Sequence, residues 1–298
     1  MRVLVTGATG NVGLALLSQL LEKSDVTLVA GGRGVEASLE QFNLLHRMEC
    51  RHFDFEDAST FDGALEGIDL VFILRPPQIS DIPRYFEPLV KKIKDKGITR
   101  VVLLSVQGAE RSNIIPHRKI EKLILAHQLD YIFLRPSYFM ENLITTLLPE
   151  IQAKRSITLP SRQAKFNWLS VKDIGCVGAH LIANFDQHKN QAYTLSGTEN
   201  LSFGEVVQRV NHLTHANIEY RSVNPVRYYF LKRGEGLPKG KVIVMLVLHF
   251  LPVIQGPPEV SDSFQQLMQR SPISIDDFIQ KHQATFRSTI TSAIQQGS

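Results

Sequence analysis

Val3-Leu4-Val5-Thr6-Gly7-Ala8-Thr9-Gly10-Asn11-Val12-Gly13 is the stretch that decides how this chain folds. An apolar strand runs straight into G-x-x-G-x-x-G. Residues 11–23 then read as a helix, with Val12, Leu16 and Leu20 on one face and Leu17 and Leu21 beside it. Strand, glycine turn and amphipathic helix, in that order, are the context a dinucleotide fingerprint requires. Gly7 permits the tight turn, Gly10 lets the backbone approach a diphosphate, and Gly13 lets the helix pack closely on the sheet. The free N–H groups and positive end of the helix then face the phosphates. The candidate diphosphate-binding residues are therefore Gly7, Thr9, Gly10, Asn11, Val12 and Gly13; the alternative is a purely structural turn.

Outward from this turn, residues 26–30, 50–53, 70–74, 100–105 and 131–134 read as strands, and 59–65, 81–96 and 116–127 as helices. Strands joined by helices imply a doubly wound parallel α/β sheet with helices on both faces. The continuously apolar runs at 71–74 and 101–104 fit strands covered on both sides. Residues 166–171 and a helix from Asp173 through Asn184 read as a return to this core, and 191–196 as a late strand. The expected organisation is a nucleotide-binding domain over 1–150, rejoined by 165–196, and a smaller α+β substrate lobe over 197–298.

The 298 residues are 43% hydrophobic and 21% charged, an ordinary globular balance that excludes a disordered tail or a membrane bundle. The net charge of +4 contains no basic block dense enough to track a nucleic-acid backbone, so a small anionic ligand is expected instead. Cys50 and Cys176 lie far apart, which excludes a disulfide framework and favours a reduced, cytoplasmic setting. The first strand starts at the N-terminus and leaves no room for a signal peptide. The longest apolar run, 242–254, is interrupted by His249 and Pro252 and is shorter than the roughly 20 residues of a spanning helix. It reads as a buried or substrate-facing helix, and no membrane partner is expected. A monomer or homodimer is the expected assembly. His212 and His215 are spaced i, i+3, but no third ligand is near them in sequence, so no metal is expected.

The tip of the second strand bears on which dinucleotide binds. An acidic residue there holds the ribose hydroxyls of NAD. This chain has Val29-Ala30-Gly31-Gly32-Arg33-Gly34, with no carboxylate at the tip. A guanidinium can fork onto a 2′-phosphate that a carboxylate would repel, so NADP is favoured over NAD. Arg33 could equally be a solvated loop residue.

With Phe53-Asp54-Phe55, Gly67-Ile68-Asp69, Leu103-Leu104-Ser105, His117-Arg118-Lys119-Ile120-Glu121 and Leu134-Arg135-Pro136-Ser137-Tyr138-Phe139-Met140-Glu141-Asn142 added to the turn, the chain resembles the NmrA-like branch of the atypical short-chain dehydrogenase/reductases. Val171-Lys172-Asp173-Ile174, Tyr193-Thr194-Leu195-Ser196-Gly197 and Ser271-Pro272-Ile273-Ser274-Ile275-Asp276-Asp277-Phe278 extend the likeness over about 1–286. The resemblance implies a Rossmann-like NADP domain. It places Asp54 and Phe55 near the adenine, Leu74, Arg75 and Pro76 under the adenosine and diphosphate, Ser105 beside the nicotinamide and Pro136 opposite it. Asp54 could instead cap a turn, and Ser105 could be a satisfied strand-end hydroxyl.

Typical members of the wider superfamily use Tyr-x-x-x-Lys with a nearby Ser to protonate a carbonyl as hydride arrives. Here Asn113 and His117 stand at the Tyr and Lys positions. The His117–Glu121 spacing, common among NmrA-like proteins, puts both on one helix face. The only literal match, Tyr228 with Lys232, falls far along the chain and reads as coincidence. Ser105, His117 and Tyr138 are the catalytic candidates. His117 and Glu121 could simply orient the helix, and Tyr138 could be an aromatic wall residue. Quinones and other conjugated acceptors form stabilised anions and need such an acid least, so hydride transfer from NADPH to a small acceptor of that kind is the expected function. Phe139, Met140, Trp168, Tyr228, Tyr229 and Phe230 are available for an apolar pocket, although each could equally be core. The alternative is a non-catalytic NADP(H)-sensing protein of the NmrA type.

Overall fold

The computed structural model describes residues 1–288 apart from 23–24, 43 and 114. The predicted helix end at Lys23 and the last ten residues of the expected C-terminal lobe lie outside the described residues. The described chain divides into two compact units.

The first unit comprises Met1–Pro136, Val171–Leu195 and Ser263–Arg270. It begins β1 (Arg2–Thr6), α1 (Asn11–Leu20), β2 (Thr27–Gly32), α2 (Val35–Gln41), β3 (Glu49–His52), α3 (Phe61–Ala64) and β4 (Leu70–Leu74). It continues with α4 (Ile82–Asp95), β5 (Arg100–Leu104), α5 (Pro116–Ala126) and β6 (Asp130–Pro136). With the strand Gln191–Leu195 these make a seven-stranded sheet, that strand lying beside β6 and followed by β5, β4, β1, β2 and β3. Every pairing is parallel. Val3, Leu4, Val5, Val71, Ile73 and Val101 are wholly buried, as strands covered on both faces require. The doubly wound parallel α/β class read from the sequence is the fold observed.

Packing at the β1–α1 junction explains two of the turn glycines. Gly7 has φ +64°, a conformation that strains any residue with a side chain. A Cβ on Gly13 would lie 2.2 Å from the Gly7 carbonyl oxygen and 2.9 Å from the Ala8 backbone. Thr6 ties this end of β1 to β4: its hydroxyl donates to the Phe72 carbonyl at 3.1 Å and accepts from the Leu74 N–H at 2.9 Å.

The second unit comprises Ser137–Ser170, Ser196–Asp262 and the chain from Ser271. Phe166–Leu169 pairs antiparallel with Asn200–Leu201 and parallel with Tyr138–Phe139. The strand expected at 166–171 therefore belongs to this small sheet, and the chain re-enters the first unit at Val171. The first segment of that unit likewise ends at Pro136, not at residue 150. Ser156–Leu159 pairs with Glu219–Ser222, and the helix Phe203–Thr214 opens with a Ser202/Glu205 capping box. The run expected to be a buried or substrate-facing helix is the helix Lys239–Gln255, in which only Val242, Met245 and His249 are buried.

Tyr138 lies in the aromatic core of this unit, with ring centroids 5.4, 5.0 and 5.6 Å from those of Phe166, Trp168 and Phe203. His249 Nδ1 lies 2.6 Å from the Met245 carbonyl, which can only accept, so the ring proton is on Nδ1. Nε2 then accepts the Tyr138 hydroxyl proton at 3.0 Å. Burial pushes the Tyr138 phenol far above its ordinary range. Its single proton is thus committed inside the core, which removes Tyr138 from the proton donors considered below. Tyr228 and Lys232 share a turn of the helix Pro225–Gly234; the ammonium is held by Glu150 at 2.6 Å and Glu235 at 3.0 Å.

Gly13→Ala is expected to destabilise the first unit by several kcal/mol, because the added methyl meets backbone that cannot swing aside. Gly10→Ala, whose Cβ would sit 3.5 Å from the Gly7 oxygen, should change stability by less than about 1 kcal/mol. Urea unfolding compares the two. In the second unit, burial lowers the His249 pKa to about 4 from 6.5, partly opposed by the Met245 carbonyl. The ring is neutral when folded and takes a proton when unfolded below pH 6.5, so stability is full above that pH and falls toward pH 4, by roughly 3 kcal/mol. His249→Leu should cost about 1–3 kcal/mol at pH 7 through the unpaired phenol. Its disadvantage should shrink or reverse at pH 4.5, as read from fluorescence of the single tryptophan, Trp168, during unfolding.

Candidate functional site

The sheet reverses direction at β1: β2 and β3 extend one way, and β4, β5 and β6 the other. Ligands of such sheets bind beyond the carboxyl ends of the strands at this switch point. The turn after β1 stands there. Gly10 is the N-cap of α1, no side chain caps that end, and no acidic residue lies in the first turn. The end of the helix is therefore positively polarised, with no side chain capping its first N–H groups. Gly10 and Asn11 are exposed, Thr9 is half-buried, and the Val12 side chain is buried in the core, which leaves only its backbone for a ligand. Gly10 has room for a Cβ within its own fold, so packing inside the chain does not account for its glycine. The residues of the turn fit a dinucleotide diphosphate.

At the tip of β2, Arg33 is 61% exposed, and its Nη1 lies 3.8 Å from the Asp54 carboxylate that follows β3. Asp54 also caps its own turn by accepting the Glu56 N–H at 3.0 Å. Phe55 points inward, its centroid 4.8 Å from that of Phe53 and 4.9 Å from that of Phe86. Arg33 and Asp54 thus stand together on the β2–β3 side, while the Phe55 ring belongs to the core.

After β4, Leu74, Arg75 and Pro76 are partly exposed. Arg75 Nη1 donates to the carbonyls of Pro76, Pro77 and Ile79 at 3.0, 3.2 and 2.6 Å. Its Nε faces His117 Nε2 at 3.4 Å. The guanidinium staples the loop together. Burial and the neighbouring Arg75 charge lower the His117 pKa to about 3, against a weaker opposing pull from Glu121. His117 is therefore a neutral acceptor at physiological pH.

Glu121 is fully buried on α5. Its Oε1 accepts from the Ser105 hydroxyl at 2.7 Å and from Arg135 Nε at 2.9 Å. Its Oε2 accepts from Arg135 Nη2 and from Arg118 Nη1, each at 2.9 Å. Arg135 Nη1 also reaches Glu110 at 3.1 Å. Burial alone would raise the Glu121 pKa, but the hydrogen bonds from Arg135, Ser105 and Arg118 outweigh it and hold the carboxyl below its usual value. Ser105, the candidate beside the nicotinamide, has its only proton on this carboxylate. Asn113 accepts from Lys122 at 2.8 Å. Pro136 is buried at the end of β6, where its carbonyl accepts the Gln107 N–H at 2.9 Å.

Of the candidates, the structure brings His117 to Arg75 and Ser105 to Glu121, but His117 and Glu121 turn to different partners. Arg118 and Arg135, which hold Glu121 here, are not among the candidates the sequence singles out. Arg135 left a signal: an arginine continuing a strand whose preceding residues are buried needs a buried carboxylate somewhere in the fold. Among the described residues no group of three or more His, Cys, Asp or Glu side chains is arranged to hold a metal ion. Nor is any helix among them long and apolar enough to cross a membrane.

The chain is 29% identical over 231 residues to prestalk A differentiation protein A of Dictyostelium discoideum, covering 76% of this chain and 74% of that one. It is 23% identical to an NAD(P)H azoreductase of Xenophilus azovorans, covering 95% of this chain and 99% of the relative. The NADPH-dependent quinone oxidoreductase of Escherichia coli, solved with NADPH, superposes with a TM-score of 0.81 at 16% identity, covering 94% and 99% of the two chains. The sequence model of a family described as NAD(P)H-binding matches residues 7–158, just over half of the chain and starting in the turn after β1. By that match this chain belongs to the NAD(P)H-binding family.

Proposed function

We propose that this protein is an NADPH-dependent oxidoreductase that reduces a small conjugated acceptor such as a quinone. The observation that carries the reading is that, among the described residues, the candidate donors at the carboxyl ends of β4–β6 offer no ready acid. Asn113 has no acid to give, His117 is neutral and turned to Arg75, and the Ser105 proton is held by Glu121. A simple ketone becomes a basic alkoxide and needs an acid in the transition state. A quinone or azo compound becomes a stabilised anion that solvent can protonate later. The azoreductase and the quinone oxidoreductase among the similar proteins support this choice by name.

Bound NADPH would supply the hydride. The N–H groups at the start of α1 would hold the diphosphate, with Gly10 giving the close approach. Arg33 would fork onto the 2′-phosphate and Asp54 would stand by the adenosine. Arg75 keeps the loop after β4 in shape beside the cofactor, and the Glu121–Arg135 pair fixes β5 and β6 where the nicotinamide would lie. The lack of an acid also suits an NADP(H) sensor without turnover, which is the second reading.

Steady-state NADPH oxidation should proceed with quinones or azo dyes and be at least about 100-fold slower with simple ketones. Tight NADPH binding without turnover across the panel would leave the sensor. With the His117 pKa lowered to about 3, the ring stays neutral as pH rises from 5.5 to 8.5, so kcat/KM should be flat over that window. A limb near pH 6.5 would show a titrating histidine at work. Arg33→Ala should raise the KM for NADPH about 10–100-fold and change that for NADH less than about 2-fold. Equal effects on both would remove the preference for NADP.

A further inference from the structure

The helix Lys239–Gln255 carries no charged side chain beyond Lys241. One side packs into its own unit through Val242, Met245 and His249. On the other side Ile243, Val244, Val247, Leu248, Leu251 and Ile254 are 39–70% exposed. A helix that is apolar all round is normally buried on every side. Here its outer half is open to solvent.

The spacing of that outer half is specific. Val244, Val247, Leu251 and Ile254 recur at intervals of three, four and three, the seam of a helix that pairs with another helix. Ile243 and Leu248 flank the seam. The neighbouring helix Pro225–Gly234 adds Val226 and Phe230, at 67% and 69% exposure. At these exposures the long helix alone presents roughly 500 Å², and the two helices together roughly 800 Å². Each partner of a standard interface gives about 800 Å², and the largest apolar patch of an ordinary monomer is about 300–600 Å².

A lipid surface fits this face less well. An interfacial helix carries cations along its polar side, whereas here Lys239 and Lys241 sit together at one end and the side opposite the seam is buried in protein. A second copy fits in one orientation. Parallel pairing would bring the lysines of both copies together, and antiparallel pairing sends them to opposite ends. We propose that this chain forms a two-fold homodimer in which the Lys239–Gln255 helices of two copies pair antiparallel along Val244, Val247, Leu251 and Ile254. The two-fold axis passes between Val247 and Leu251, the middle of the seam, so that Val247 of one copy faces Leu251 of the other and the contact is isologous.

Sedimentation velocity on the full chain tests this. Wild type at micromolar concentration should run at twice the 33.6 kDa chain mass. Val247→Glu and Leu251→Lys should each run at the chain mass with unchanged circular dichroism, and mixing them should restore the dimer, because Glu at 247 of one copy then faces Lys at 251 of the other while the second 247–251 contact stays apolar. Wild type at the chain mass overturns the proposal, and so does a Val247→Glu variant as dimeric as wild type. Monomeric wild type that floats with vesicles containing anionic lipid overturns it in favour of a membrane surface. Should Val247→Glu lose its helical signal, hydrogen exchange on wild type decides. Amides of 243–254 that slow as concentration rises support the dimer; amides indifferent to concentration overturn it.

Discussion

The approach of α1 to the end of β1 is the constraint on which the remainder depends. The backbone at Gly13 lies so close to the Gly7 carbonyl that no side chain fits between them. That contact fixes the direction of the helix, and the direction fixes where its first N–H groups point. Thr6 secures the same corner from the other side by engaging both Phe72 and Leu74 across the switch between β1 and β4. The uncapped end of α1 and the switch between β1 and β4 are therefore one piece of construction, built from backbone more than from side chains.

A second feature is the extent to which charge near the site is neutralised internally. Glu121 faces two guanidiniums and a hydroxyl, and Arg135 is shared with Glu110. A buried carboxylate is tolerable only when its lone pairs are satisfied in this way. The arrangement ties β5, β6 and α5 together, and it also takes the Ser105 proton out of circulation. Arg75 is similarly engaged with three carbonyls. The same hydrogen bonds that join these elements leave the candidate donors there without a ready acid.

Much of the first unit was legible because its signals are local. The glycine spacing, the continuously apolar strands and Pro116 at the start of α5 each act within a few residues. Where reading failed, the cause was distant. Residues 131–134 were expected as a strand, but β6 runs on through Arg135 and Pro136, because the charge of Arg135 is cancelled by Glu121 on a separate element. Phe166–Leu169 reads as a buried strand whichever sheet it joins, and its partners Asn200–Leu201 and Tyr138–Phe139, each about thirty residues away, decide which. Tyr138 has the chemistry of a proton donor in any sequence; its burial beside His249 depends on a helix more than a hundred residues away. An apolar run such as 242–254 states its preference for cover without stating which side will receive it.

The bare end of α1 has a consequence for the life of the polypeptide. With no serine, threonine or aspartate capping it, this helix start is open to water or to an anion, and a ligand that binds only the folded form stabilises it with the logarithm of ligand concentration over dissociation constant. A coenzyme seated there would lend the folded chain that stabilisation, so resistance to proteolysis would rise with coenzyme concentration.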